Sequence, residues 1–322
     1  MRAIRVHEAG GPEVLRLEEV AEPTPGPGEI VARIDKVGIN FIEVYQRKGV
    51  YPMKFPYTPG REGAGTVTAV GSGVTRVKVG DRVASEVFNG AYAELASAAA
   101  DRVVKLPDGV DTSIGAAVML QGLTAHAVAT SVYPLKPGDR CLIHAAAGGV
   151  GLLLCQIAKR RGAWIVGTTS TAEKARLARE AGADEMILYT EQDFVQEVKR
   201  LTNGAGVHVV YDTVGKTTFE GGLDCLVRRG MMVLFGQSSG AVAPLDPQVL
   251  NRKGSLFLTR PNVSHYLATP EELAERAGEL LGWIADGWLN VHVGQTYPLA
   301  EAAEAHRALE GRGTVGKVLL ST

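Results

Sequence analysis

The run Ala145-Ala146-Ala147-Gly148-Gly149-Val150-Gly151 lies between a short apolar stretch, 141–145, and a segment of helical character, 150–161. A glycine-rich turn between strand and helix is where a dinucleotide pyrophosphate binds. Gly148 lets the backbone approach the phosphates and Gly151 lets the helix lie close to the strand, while the helix amino terminus offers N–H groups to the anion. Ala146 stands at the first position of G-x-G-x-x-G, so the flanking strand and helix carry more of the inference than the letters do. The competing reading, a glycine turn without a ligand, is weakened by the regular alternation that follows.

An NAD site places an acidic residue about 20 positions after the glycines, where it binds the ribose hydroxyls. Here that place holds Thr168-Thr169-Ser170-Thr171, followed by Lys174. Hydroxyls and an ammonium can donate to a 2′-phosphate, and nothing acidic precedes Glu173, so NADPH is expected rather than NADH. Lys174 taken alone is equally read as part of a solvated helix face with Glu173 and Arg176.

These residues need a scaffold. From about residue 139 the chain alternates strand and helix, the pattern of a parallel sheet covered by helices. Strands are expected at 141–145, 164–168, 186–188, 207–211, 231–235 and 256–259. Helices are expected at 150–161, 171–181, 191–201, 216–227, 271–285 and 300–310, with a closing strand at 316–320. The first third instead shows short β-rich segments, 30–37, 65–70 and 82–87, broken by glycine and proline, which imply a small barrel.

A length of 322 residues exceeds what one compact core usually serves, so two domains are expected. A net charge of −1 leaves no global field to hold nucleic acid or an anionic membrane. The first residues lack the apolar run of a leader, and no apolar run is expected to reach the ~18 residues that span a bilayer, so a cytoplasmic protein is expected. Cys141, Cys155 and Cys225 fit neither a disulfide framework nor a metal pair and are read as buried thiols. The seven histidines show no metal spacing, and none is assigned to catalysis.

Over nearly its whole length the chain resembles the zinc-independent, zeta-crystallin-like quinone oxidoreductases of the medium-chain dehydrogenase/reductase superfamily. The segments that carry this are Asn40-Phe41-Ile42-Glu43-Val44-Tyr45, Pro59-Gly60-Arg61-Glu62-Gly63-Ala64-Gly65, Val79-Gly80-Asp81-Arg82-Val83, His144 through Gly151, and Phe235-Gly236-Gln237-Ser238-Ser239-Gly240. The resemblance implies an α/β protein: a doubly wound Rossmann sheet at 124–261, and a discontinuous GroES-like β-barrel domain at 1–123 and 262–322, with the cofactor cleft between them. It also implies a homodimer, with 256–259 as the edge strand that pairs across a twofold axis.

Zinc-dependent relatives carry an early cysteine ligand, a Gly-His-Glu motif and a four-cysteine lobe. Here Gly60-Arg61-Glu62 has arginine in place of the histidine, and no cysteine precedes Cys141. No catalytic metal is expected. By resemblance, NADPH is contacted by Asn40, Thr124, Ala147, Gly148, Gly149, Val150, Ser170, Lys174, Tyr189, Phe235, Ser238 and Arg312, with Lys174, Tyr189 and Arg312 around the 2′-phosphate. Asn40 and Tyr45 are expected on the substrate side, Tyr45 as a hydrogen-bond donor to a reduced quinone oxygen or simply as pocket wall. The implied activity is metal-free transfer of hydride or electrons from NADPH to a quinone. The alternatives are an NADPH-dependent alkenal or enoyl reductase and, in a different class, a structural or RNA-binding protein that holds NADPH.

Overall fold

The computed structural model describes all 322 residues. They form two compact units, Met1–Leu123 with Thr269–Thr322, and Thr124–Ala268. The chain re-enters the first unit at Thr269 rather than at 262, where the sequence suggested the boundary. Thr269 is the N-cap of a helix, in a reciprocal capping box with Glu272, and that helix belongs wholly to the first unit.

The first unit is built on a seven-stranded sheet. Its strands are β3 (Glu29–Gly38), β4 (Glu62–Val70), β5 (Arg82–Ser85), β6 (Leu95–Ala99), β7 (Val104–Lys105), β14 (Val293–Pro298) and β15 (Lys317–Ser321). The order is β14-β15-β3-β4-β5-β7, with β6 also paired to β3, and β1 (Arg2–Arg5) and β2 (Arg16–Glu19) form a separate pair. The carboxy-terminal strand therefore lies beside β3, Leu319 opposite Gly38, which joins the two ends of the sequence in one sheet. Helices α1 (Phe41–Arg47), α8 (Pro270–Ala285) and α9 (Ala302–Glu310) complete the unit, and α2 (Thr112–Ala127) leads out of it. Ile4, Ile30, Ile34, Val37, Val83, Tyr92, Val318 and Leu320 are among its core residues.

The second unit is a six-stranded, all-parallel sheet in the order β10-β9-β8-β11-β12-β13. Its strands are β8 (Arg140–Ile143), β9 (Trp164–Thr169), β10 (Glu185–Leu188), β11 (Val207–Asp212), β12 (Leu226–Leu234) and β13 (Phe257–Thr259), with helices α3 (Gly149–Arg160), α4 (Ala172–Glu180), α5 (Phe194–Leu201), α6 (Phe219–Asp224) and α7 (Gln248–Arg252). This is the doubly wound order, in which the direction of winding reverses between β8 and β11 and leaves a crevice at their carboxyl ends.

Two helices differ from expectation. α5 begins at Phe194 rather than 191, because the Asp193 side chain accepts from the N–H groups of Val195 and Gln196 and caps it there. α6 spans Phe219–Asp224 rather than 216–227. Gly215, with φ of 88°, turns the chain before it, and β12 already starts at Leu226. The expectation that no apolar run is long enough to span a bilayer also needs correction. The helical stretch Thr112–Val132 has 21 residues and a mean hydropathy of 1.2 in its most apolar window, but 67% of that window is buried within the fold. Its apolar surface is thus covered by protein, as in a core helix.

Candidate active site

At the end of β8 the chain turns through Ala145, which takes the left-handed region with φ of 53°. Its carbonyl accepts from Gly148 N at 2.9 Å and closes the turn. α3 then starts at Gly149 with Gly148 as N-cap, and no side chain caps it. The orphan N–H groups of its first turn are therefore left for an anion. A Cβ on Gly151 would stand 2.4 Å from Ala145 O, so only glycine allows α3 to approach the strand this closely. Ala147, Gly148, Gly149 and Val150 lie together in this loop, as the sequence suggested, and they fit a pyrophosphate.

Ser170, Lys174 and Tyr189 gather at the carboxyl ends of β9 and β10. Ser170 follows β9 and its carbonyl accepts from the Thr190 hydroxyl at 3.0 Å, while Tyr189 N donates to Thr169 O at 3.1 Å. Thr171 caps α4 by accepting from Lys174 N at 3.3 Å, which places Lys174 in the first turn. Partial burial lowers the Lys174 ammonium from its ordinary value. The neighbours on this helix behave differently: Arg176 is tied to Glu173 and Glu180. Tyr189 is 41% exposed, which leaves it accessible to a ligand.

On the other side of the winding reversal, Asp212 ends β11 and shapes the loop after it. Its carboxylate accepts from Val214 N at 2.7 Å, Gly215 N at 3.0 Å and the Thr218 hydroxyl at 2.8 Å. The loop after β12 packs on this one. Phe235 N donates to Asp212 O at 2.8 Å and Ser238 N to Thr213 O at 3.3 Å, so Phe235 and Ser238 also sit at the carboxyl edge of the sheet. Thr124 belongs to the same unit, on α2. His144, beside the glycine loop, is fully buried, with Nδ1 3.0 Å from the Thr168 hydroxyl and its ring edge-on to Phe194. Burial depresses its pKa, which keeps it neutral.

The remaining expected residues, Asn40, Tyr45 and Arg312, are carried by the first unit. Arg312 is exposed, in the turn after α9, with φ of 58°. Tyr45 lies on α1 with its ring 6.1 Å from Phe41 and 5.5 Å from Tyr51, the latter edge-on. Asn40 precedes α1 and is buried. Its Nδ2 donates to Glu62 Oε2 at 2.9 Å and Gly38 O at 3.1 Å, and its Oδ1 accepts from Lys317 Nζ at 2.8 Å and Gln121 Nε2 at 3.3 Å. Both hydrogens and both lone pairs of the carboxamide are thereby used within the protein. Asn40 is held as a fixed element of structure and has no hydrogen bond to spare for a substrate.

Glu62, Gln121 and Lys317 were not singled out from the sequence. A lysine inside the apolar closing strand Val315-Gly316-Lys317-Val318-Leu319-Leu320 was the available signal, since a buried cation demands a partner. Glu43, on the first turn of α1, accepts from Asn40 N at 2.9 Å, and burial raises its carboxyl to about 7. All three cysteines are free and buried, and burial raises Cys155 and Cys225 to about 12. No group of three or more His, Cys, Asp or Glu side chains is placed to hold a metal ion.

Residues 26–108 match the alcohol dehydrogenase GroES-like domain and residues 149–276 the zinc-binding dehydrogenase family. The chain is 48% identical to a quinone oxidoreductase of Pseudomonas aeruginosa over 313 residues, 97% of this chain and 96% of that one. The solved structure of Escherichia coli quinone oxidoreductase complexed with NADPH superposes with a TM-score of 0.98 at 46% identity, covering 100% of both chains. A 2-haloacrylate reductase of a Burkholderia species is 40% identical over 323 residues, 98% of this chain and 97% of that one. Near-complete coverage at this identity, on the doubly wound sheet and terminal-strand pairing described above, places the chain in the quinone oxidoreductase family of the medium-chain dehydrogenase/reductase superfamily.

Proposed function

We propose that the protein reduces quinones with NADPH. The observation that carries this reading is the pairing of an uncapped α3 behind the Gly148–Gly151 turn with the Ser170, Lys174 and Tyr189 group, which offers hydroxyls and an ammonium where a 2′-phosphate would lie, the first-turn carboxylate of Glu173 being tied to Arg176. A close structural neighbour holds NADPH. When bound, NADPH supplies the hydride, and with one proton from solvent it converts a quinone to the hydroquinone. The protein's share is binding, orientation and exclusion of water.

In this reading α3 and the loop 147–150 hold the pyrophosphate, and Ser170, Lys174, Tyr189 and Arg312 hold the 2′-phosphate. Phe235, Ser238 and Thr124 line the remaining cofactor surface. Asn40 and Tyr45 line the substrate side, Asn40 as a rigid wall and Tyr45 as an aromatic surface whose hydroxyl reaches a quinone oxygen. The arginine at position 61 and the absence of early cysteines support a reading in the zeta-crystallin-like, zinc-independent branch. Reduced, buried thiols suit a cytoplasmic location. A homodimer is proposed through β13, which pairs only with β12 and leaves Phe257 56% exposed.

The second reading, reduction of a carbon–carbon double bond, is favoured by the 2-haloacrylate reductase relative. A panel of benzoquinone, naphthoquinones, 2-haloacrylate and an alkenal decides between them through kcat/KM. A preference for quinones of tenfold or more, about 1.4 kcal/mol, supports quinone reduction; turnover confined to the alkenes or to 2-haloacrylate moves the assignment to the second reading.

A further inference from the structure

Lys317 and Glu62 are both buried, at 1% and 0% side-chain exposure, and Lys317 Nζ lies 2.5 Å from Glu62 Oε2. A buried ion pair is a costly way to stabilise a fold, because two well-packed apolar side chains would serve as well or better. What this pair does that apolar residues cannot is impose direction. Asn40 lies against both charges, with Oδ1 toward the ammonium and Nδ2 toward the carboxylate. Flipping the carboxamide would set NH2 against NH3⁺ and oxygen against oxygen, so one orientation alone survives.

The same carboxylate reaches α2. Glu62 Oε1 accepts from the backbone N–H of Leu120 at 2.7 Å, in the middle of that helix. The adjacent Gln121 donates to Asn40 Oδ1, while its own Oε1 is buried with no hydrogen-bond partner. The network therefore runs from Lys317 through Asn40 to Gln121 and ends on an acceptor that the protein does not use. Such an orphan is expensive unless a ligand donor meets it.

We infer that Lys317 is a positioning residue for the reaction: its ammonium, with Glu62, locks the Asn40 carboxamide and so aims Gln121 Oε1 at a donor on the bound cofactor or substrate. This rests on the reading that Asn40 lines the substrate side. Lys317 touches neither ligand and acts only through Asn40.

The test uses purified protein whose NADPH:quinone turnover has first been measured, with kcat, KM, the NADPH dissociation constant and the melting temperature followed for Asn40→Ala, Lys317→Met and the double variant Lys317→Met/Glu62→Gln. Misplacement of a reacting group by ~1 Å costs about 100-fold, so kcat is expected to fall about 10- to 100-fold in Asn40→Ala and in Lys317→Met, with KM and NADPH affinity nearly unchanged. The double variant has no unpaired buried charge. It is expected to regain the melting temperature and keep the low kcat, and it carries the test if Lys317→Met alone does not fold. A double variant that regains parental kcat along with its melting temperature, while Asn40→Ala stays impaired, overturns the role of Lys317 and leaves the site reading intact. An Asn40→Ala protein with parental kcat overturns the site reading itself.

Discussion

Gly151 packs so closely under Ala145 that a Cβ at residue 151 would lie 2.4 Å from the Ala145 carbonyl oxygen and 2.7 Å from the backbone of Ala146. These are backbone atoms, so the strain cannot be relieved by a side-chain rotation. Gly151→Ala should destabilise the protein by about 1–3 kcal/mol and tilt the start of α3 away from its anion. NADPH affinity should fall at least tenfold, read by fluorescence titration alongside a melting curve. Unchanged affinity would show that α3 does not hold the pyrophosphate.

Lys174 stands in the first turn of α4, close to Ser170 and to the strand end that carries Tyr189. If it meets the 2′-phosphate, Lys174→Ala should lower kcat/KM for NADPH about 10- to 100-fold, since a charge-assisted bond is lost. NADH, which lacks that phosphate, should be affected little. Equal losses with both cofactors would return Lys174 to a general structural role on the helix surface.

Glu43 has its carboxyl raised from 4.5 to about 7, chiefly by burial, with Lys317 opposing and Glu62 adding to the shift. A raised acid binds its proton more tightly in the folded state. Its contribution is therefore complete below pH 4.5 and is lost as pH rises through about 7. The loss amounts to about 3 kcal/mol. Glu43→Gln keeps a neutral acceptor in place at every pH, so denaturant titrations should show the variant gaining on the parent from pH 5 to pH 8. A constant difference across that range would contradict the shift.

His306 works in the opposite sense. Its Nε2 lies 2.9 Å from the Tyr92 hydroxyl, and burial, aided by Arg47, lowers its pKa from 6.5 to about 3. The contribution is present above pH 6.5 and is lost as pH falls toward 3. His306→Gln should flatten the acid limb of the stability profile, whereas Glu43→Gln should steepen it between pH 7 and 4.5. Circular dichroism melts over that range separate the two.

How far the sequence could be read follows from which contacts are local. β8, β9, β11 and β12 are buried parallel strands, and such strands appear as short continuous apolar runs, so each was visible at 141–145, 164–168, 207–211 and 231–235. The glycines at 148, 149 and 151 were legible because their spacing is set by one local turn. α1 was not read as a helix because seven residues give too little periodicity, and α2 because it is apolar on nearly every face and shows no amphipathic stripe. The network around Asn40 was out of reach for another reason. Lys317 and Glu62 are 255 positions apart and meet only because β15 pairs with β3 next to β4. Asn40 was picked out by resemblance alone, and what its carboxamide binds could be known only from the fold.

The most direct measurement is the initial rate of NADPH oxidation by a naphthoquinone, with a metal chelator present, set against the rate with NADH. The account predicts quinone-dependent turnover that the chelator does not diminish and a preference for NADPH of about tenfold or more, matching the loss of about one charge-assisted hydrogen bond. Oxidation that needs added zinc, or that runs equally well on NADH, would contradict it.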